Sequence, residues 1–335
     1  MKLMKADAPP KASAECSEPA AVVRRELTLV ESKLTRLLES REPIITEICR
    51  YLIDGAGKRL RPLFILLIYR ACGGVEANVE DAVDAAIALE LIHSATLLHD
   101  DIIDGGMLRR GKPSAFARYG VAASLVAGDF LFCRAFELCG RFDERLVRTA
   151  AGACIQLTEG EVMEGRLRHQ AHGSFDDYLA VISQKTASLF AAGGRVAADL
   201  AGANAVTIET MERFGLAVGR AFQMVDDILD VTGPEELIGK PVGSDLREGV
   251  LSLPIVIGLQ ERPELKSMLR DGGPPDEAAL ASALAIVREP QVIRSARAKA
   301  SEQVAIAAGL LCSVADSAYK AAIAELLAAQ TERVS

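Results

Sequence analysis

The chain has 335 residues, 50% of them hydrophobic and 25% charged, with 38 Lys and Arg against 46 Asp and Glu and a formal charge of −8. This is the composition of a globular protein with ample chain for a large core, and the absence of any Lys/Arg block argues against a nucleic-acid partner. Aromatics are 4%, Trp is absent, and Ala and Leu abound, which favours helices over sheets.

Residues 1–20 are polar, contain three prolines and lack the apolar centre of a signal peptide, so a disordered tail is expected there and a folded domain over 21–332. Val23, Leu27, Val30, Leu34, Leu37 and Leu38 mark an amphipathic first helix. Pro43 starts a second that ends near Gly55-Ala56-Gly57. Pro62 opens a third, closed by Gly73-Gly74. A long apolar fourth helix is predicted over 79–104 and is stopped by Gly105-Gly106. Further helices are predicted near 120–140, 144–170, 175–192 and 207–231, the last ended by Gly233-Pro234. Residues 239–249 read as a Gly-rich charged loop. A helix follows Leu253-Pro254 to about Leu259, Gly272 to Pro275 is a turn, and Ala-rich helices fill 276–332. No alternating strand pattern is evident. The prediction is a single-domain all-α bundle with short links.

The longest apolar run, Leu63 to Tyr69, is too short to cross a bilayer, so a cytoplasmic protein with at most peripheral membrane contact is expected. The seven cysteines (Cys16, Cys49, Cys72, Cys133, Cys139, Cys154 and Cys312) form no C-x-x-C pair and read as free thiols.

Two predicted helices end in the same acidic pattern, Asp100-Asp101-x-x-Asp104 and Asp226-Asp227-x-x-Asp230. Residues four apart share a helix face, so each pattern stacks like charges. Acids favour helix N-termini, and these sit at C-terminal ends, so capping does not explain them. Oxygen donors without His or Cys suit a hard cation such as Mg²⁺, which is commonly held by one or two carboxylates plus substrate phosphates. Two basic stretches accompany them, Gly57-Lys58-Arg59-Leu60-Arg61-Pro62 and Leu108-Arg109-Arg110-Gly111-Lys112-Pro113. Their Lys and Arg side chains are suited to phosphate oxygens. His93 lies two turns before Asp100 on roughly the same face. His169 and His172 read as solvated or locally hydrogen-bonded.

Together these stretches resemble the trans-isoprenyl diphosphate synthases, the polyprenyl synthetase family. The resemblance spans about residues 22–330 and rests on GKRLRP (57–62), HSATLLHDDIID (93–104) with LRRGKP (108–113), QKTASLF (184–190), FQMVDDILD (222–230) and GKPVGSDLREG (239–249). It implies a helical bundle around a central cavity in which an allylic diphosphate (geranyl, farnesyl or geranylgeranyl) ionises. Isopentenyl diphosphate attacks the cation, a proton is lost, and the product is one prenyl unit longer. It further implies Mg²⁺ as cofactor, about three ions once substrate is bound, and a homodimer.

Carried over by position, Asp100, Asp101, Asp104, Asp226, Asp227 and Asp230 are expected as metal ligands. Lys58, Arg61, His93 and Arg110 are expected at the isopentenyl diphosphate, and Arg109, Lys185 and Lys240 at the allylic diphosphate. Thr186 and Gln223 are expected to line the carbocation site. Catalysis is expected to rest on Asp100, Asp104, Lys185, Gln223 and Asp226. Gly105, Gly106 and Met107 depart from the polar residues usual after the first cluster, and Val250 stands where many members carry Lys. Ile92, Ala95 and Thr96 precede the first cluster without an aromatic side chain, which implies a medium or long product, with Phe132 or Phe136 as the tunnel floor. Geranylgeranyl or farnesyl diphosphate synthesis, or the catalytic subunit of a heterodimeric synthase, are alternatives within the family. A class I terpene cyclase is a remoter one, since it has no need of GKRLRP or of a second DDxxD.

Overall fold

A computed structural model describes residues 18–54, 59–169, 172–234, 241–269 and 276–332. In chain order the helices are α1 (Glu18–Ala21), α2 (Arg24–Leu37), α3 (Pro43–Asp54), α4 (Leu60–Ala71), α5 (Val79–Ile103), α6 (Ala115–Tyr119), α7 (Val121–Cys139), α8 (Glu144–Leu167), α9 (Phe175–Ile182), α10 (Ser188–Leu200) and α11 (Ala205–Thr232). They continue with α12 (Ser244–Glu248), α13 (Leu253–Glu261), α14 (Glu264–Met268), α15 (Glu277–Val287), α16 (Pro290–Leu311) and α17 (Ala318–Glu332).

The all-α expectation holds, with one small exception. Leu108–Arg109 and Lys112–Pro113 pair as an antiparallel hairpin. Its two central residues, Arg110 and Gly111, both have positive φ, 54° and 74°, the requirement of a type I′ turn that joins twisted strands tightly. A two-residue strand is too short to show alternation in sequence.

Several boundaries differ from the sequence reading, each for a local reason. Residues 18–20, expected within a tail, begin α1, which packs on α17. Helix α4 starts at Leu60, two residues before Pro62, because proline is tolerated throughout the first turn, where its missing N–H is not needed. The segment from Phe175 runs to Leu200 with a π-helical turn at Ser183–Ala187. It passes the expected end at 192, and Gly193 and Gly194 lie inside it. A Cβ on Gly194 would strike the Met211 carbonyl of α11, and one on Gly193 would meet Ile65, so these glycines permit close helix packing. Helix α8 ends at Leu167 rather than 170, with Arg168 extended and His169 left-handed (φ +58°).

Helix α5 is apolar on every side and lies at the centre, packed by α2, α4, α7 and α10, as expected for a helix with no polar face. With the turn before it (Glu76–Ile103) it is long and apolar enough to cross a membrane by length and composition, yet 83% of that window is buried within the fold. The main core joins α2 to α5, α7, α10 and α11 to the ends of α16 and α17. Four of the ten phenylalanines gather beneath the start of α4: Phe64 meets Phe190 edge-on (5.4 Å between centroids) and stacks on Phe214 (5.8 Å), and Phe190 meets Phe222. A second core, with Tyr178, Met224, Val225, Leu253 and Val256, fixes the far end of α11. The six cysteines among the described residues are unpaired.

Candidate active site

Helix α5 is terminated by Gly105 at φ +63°, and the Gly106 N–H bonds the Asp101 carbonyl at 2.9 Å. This Schellman closure leaves Asp104 as the C-cap and so holds the cluster at the helix end. Asp101 is buried and receives Arg109 in a two-pronged pair, Nη2 to Oδ1 at 2.7 Å and Nε to Oδ2 at 3.0 Å. Asp100 and Asp104 are only partly buried. Burial pushes the Asp100 carboxyl up to about 7.

The second cluster divides in the same way. Asp227 is buried and accepts from the Tyr178 hydroxyl (2.7 Å), the Gln223 amide (2.8 Å) and the Leu253 N–H (3.0 Å), while burial raises its pKa to about 6. Asp230, also buried, accepts from Ser244 Oγ at 2.7 Å and the Asp245 N–H at 3.3 Å. Asp226 is partly buried and within electrostatic reach of Arg61. The structure divides the six aspartates into two groups. Asp101, Asp227 and Asp230 are committed to buried hydrogen bonds that fix the hairpin, the end of α11 and the start of α12. Asp100, Asp104 and Asp226 are the more accessible three.

The π-turn touches the surroundings of both clusters. Lys185 Nζ lies 2.7 Å from Glu161 and 2.5 Å from Glu164, within electrostatic reach of Asp100. Burial works against its charge, but these carboxylates outweigh it and raise its pKa. Thr186 donates to Gln223 Oε1 at 2.8 Å, and Gln223 donates on to Asp227. Thr186 and Gln223, both expected at the carbocation site, are thus in direct contact. Gly160 makes it possible, because a Cβ there would lie 2.5 Å from the Lys185 backbone nitrogen.

Sequence reading missed Glu161, Glu164 and Arg168. Arg168 Nη2 lies 2.6 Å from Asp104 Oδ1. The spacing of Glu161 and Glu164 on one face of α8, with Arg168 just past its end, was the available signal.

The cations line a cavity of about 680 Å³ between α4, α5, the hairpin and α17, with Arg59, Arg61, His93, Arg109, Arg110 and Lys112 in its wall and Leu63, Leu97 and Phe222 as apolar counterparts. Arg61 sits over the Phe190 ring at 5.1 Å. Among the described residues, its Nε and the Arg59 Nη1 are buried without a hydrogen-bond partner. Buried, unsatisfied N–H groups on a cation face a cost that an anion relieves. Burial lowers the pKa of Arg61 and of Arg110. Burial, aided by Arg61, Arg109 and Arg110, holds His93 well below its usual value, so its imidazole is neutral at pH ~7. Buried Glu90 lies 3.7 Å from Arg59, and burial raises its own pKa. Arg59 and Arg110 both hold left-handed backbone (φ 46° and 54°), a strain that persists only where the surroundings enforce it.

Lys58 and Lys240 lie outside the described residues. Arg109 lines the cavity but is held by Asp101. Of the residues expected to set product length, Ile92 and Ala95 are in the main core and Thr96 donates to the His93 carbonyl. Phe132 packs on His99 at 5.9 Å. None of the four lines the 680 Å³ cavity, and Phe136 is exposed rather than a floor. Among the described residues no three His, Cys, Asp or Glu side chains are gathered as a metal-binding group. Lys185 and Arg168 stand among the acids instead.

A family model described as polyprenyl synthetase matches residues 42–287. The chain is 32% identical over 321 residues to an all-trans-nonaprenyl-diphosphate synthase (geranyl-diphosphate specific) of Rhodobacter capsulatus, covering 94% of this chain and 97% of the relative. It is 33% identical to an octaprenyl diphosphate synthase of Haemophilus influenzae, covering 92% and 94%. The crystal structure of a polyprenyl synthase from Caulobacter crescentus, complexed with calcium and isoprenyl diphosphate, superposes with a TM-score of 0.88 at 32% identity, covering 97% of this chain and all of that one.

Proposed function

Since the chain belongs to the polyprenyl synthetase family and is a prenyltransferase of the trans-polyprenyl diphosphate synthase class, we propose that it condenses an allylic diphosphate with isopentenyl diphosphate and releases a medium or long prenyl diphosphate. The observation that carries this reading is the adjacency of two oppositely charged faces, with Asp226 within electrostatic reach of the partly buried Arg61. One diphosphate must leave and the other must stay. The accessible carboxylates Asp100, Asp104 and Asp226 would hold divalent ions, Mg²⁺ by their all-oxygen chemistry, that neutralise the leaving group. The calcium and isoprenyl diphosphate of the Caulobacter protein support this choice.

The staying diphosphate is assigned to the cation-lined cavity. Arg61 and Arg110 supply fixed charge there, and neutral His93 supplies a hydrogen bond without adding to their repulsion. The Thr186–Gln223–Asp227 chain fixes the Gln223 amide as an oriented dipole, able to stabilise an allylic cation without capturing it. The exposed apolar side chains of α7 and α8, Val121, Leu125, Val126, Phe136, Ile155 and Val162, support a homodimer through this face.

The test is to incubate the purified chain alone with Mg²⁺, labelled isopentenyl diphosphate and, in turn, geranyl, farnesyl and geranylgeranyl diphosphates, and to separate the products by chromatography. Mg²⁺-dependent products longer than the primer are expected. No elongation of any primer would refute the proposal.

A further inference from the structure

At the end of α8 two consecutive residues link the surroundings of the two acidic clusters. Arg168 leaves the helix with extended backbone (φ −59°, ψ 136°), and its Nη2 lies 2.6 Å from Asp104 Oδ1 and 3.8 Å from Glu164. The Arg168 and Asp104 side chains are only 20% and 24% exposed, so this is not a solvated surface pair of negligible strength. His169 follows in the left-handed region and donates its N–H to the Gly249 carbonyl at 2.9 Å. Its ring covers Gly249 so closely that a Cβ there would collide with Nδ1. Gly249 caps α12, whose first residues are held by Asp230. Arg168–His169 therefore forms a strap from Asp104 of the first cluster to the segment fastened by the second.

An arginine fork binds carboxylate and phosphate oxygens with the same geometry. Asp104 Oδ1 cannot accept Arg168 at full strength and also ligate a cation, so the pair competes with metal. We propose that Arg168 is a built-in counter-ion of Asp104 that a divalent cation displaces. The freed guanidinium, still tethered through the His169–Gly249 bond, then meets the diphosphate oxygens that arrive with the ion. Arg168 is thus a positioning residue that trades a carboxylate for a phosphate as metal and diphosphate bind. The inference rests on the reading of Asp104 as a metal ligand.

The test measures Mn²⁺ binding to the metal-free, substrate-free protein through the electron paramagnetic resonance signal of free Mn²⁺. Removing a competing charge strengthens binding, so Arg168→Gln is expected to bind Mn²⁺ at least about threefold more tightly than wild type. Arg168→Lys, which keeps the charge, is expected to match wild type. If wild type binds no Mn²⁺, the reading of the clusters as a metal site fails and this inference with it. If wild type binds but Arg168→Gln binds equally or more weakly, this inference alone fails. A second measurement uses wild type only, so it stands even if Arg168→Gln does not fold. Modification of the Arg168 guanidinium by phenylglyoxal, read by peptide mass spectrometry, is expected to accelerate severalfold on adding Mn²⁺, and unchanged or slower modification overturns the proposal.

Discussion

Asp100 and Asp101 are neighbours in the chain with different surroundings, because a helix turns by about 100° per residue. One step places Asp101 against Arg109 in a buried pair, while Asp100 stays partly open with no cation among the described residues in hydrogen-bonding contact to offset its burial. The consequence is measurable as stability. With its carboxyl raised to about 7, folded Asp100 keeps a proton that the unfolded chain releases near pH ~4. Folding takes up that proton between the two values. The contribution is therefore complete below pH ~4 and is lost as pH rises through about 7. Asp227, raised to about 6, acts in the same direction. In EDTA, the melting temperature of Asp100→Asn is expected to fall less steeply than wild type between pH ~5 and ~8. Equal slopes by calorimetry would contradict the assignment.

At the scale of elements, the active site depends on close helix approach that glycine allows. Gly160 seats α8 against the π-turn, while Gly215 and Gly219 seat α11 against Phe190 and Ala187. Gly160→Ala puts a methyl where the Lys185 nitrogen must be. An overpacking cost of about 1–3 kcal/mol is expected in urea unfolding. Because Lys185 and Thr186 would shift together, turnover is expected to fall by about tenfold or more in single-turnover assays. Helix α5 poses the product-length question. Ala95 is fully buried in the main core, and Ala95→Tyr would place a ring in the volume one or two turns behind Asp100. The expected outcome is a shorter product. An unchanged chain length on chromatography after incubation with farnesyl and isopentenyl diphosphates would remove Ala95 from the tunnel wall.

At the scale of the whole molecule, α7 and α8 carry apolar side chains that the single chain leaves uncovered. Phe136 is 48% exposed and Val162 68%, and large exposed apolar groups cost solubility unless a partner covers them. The double substitution Phe136→Glu, Val162→Glu is expected to convert a dimer to a monomer in sedimentation velocity. A wild type that already sediments as a monomer, or a variant that remains dimeric, would reject this face as the interface.

The helical class, the central apolar helix, the twin acidic helix ends and the basic stretches were legible in the residues. Periodicity and charge are local properties, and acids closing an apolar helix conflict with burial in any fold. Boundaries followed only where a residue had one structural meaning. Gly105 closed α5 as expected, but the helix expected to end near 192 runs on to Leu200 through Gly193 and Gly194, which pack against α4 and α11. The sequence by itself determined the two acidic clusters and the basic stretches on which the site draws. Tertiary structure alone decided which acids stay accessible and which are consumed by Arg109, Tyr178 and Ser244. It alone placed Lys185 and Arg168 among the carboxylates. Those outcomes depend on contacts between residues as far apart as Asp104 and Arg168, and no local pattern encodes the angle at which two distant helices meet.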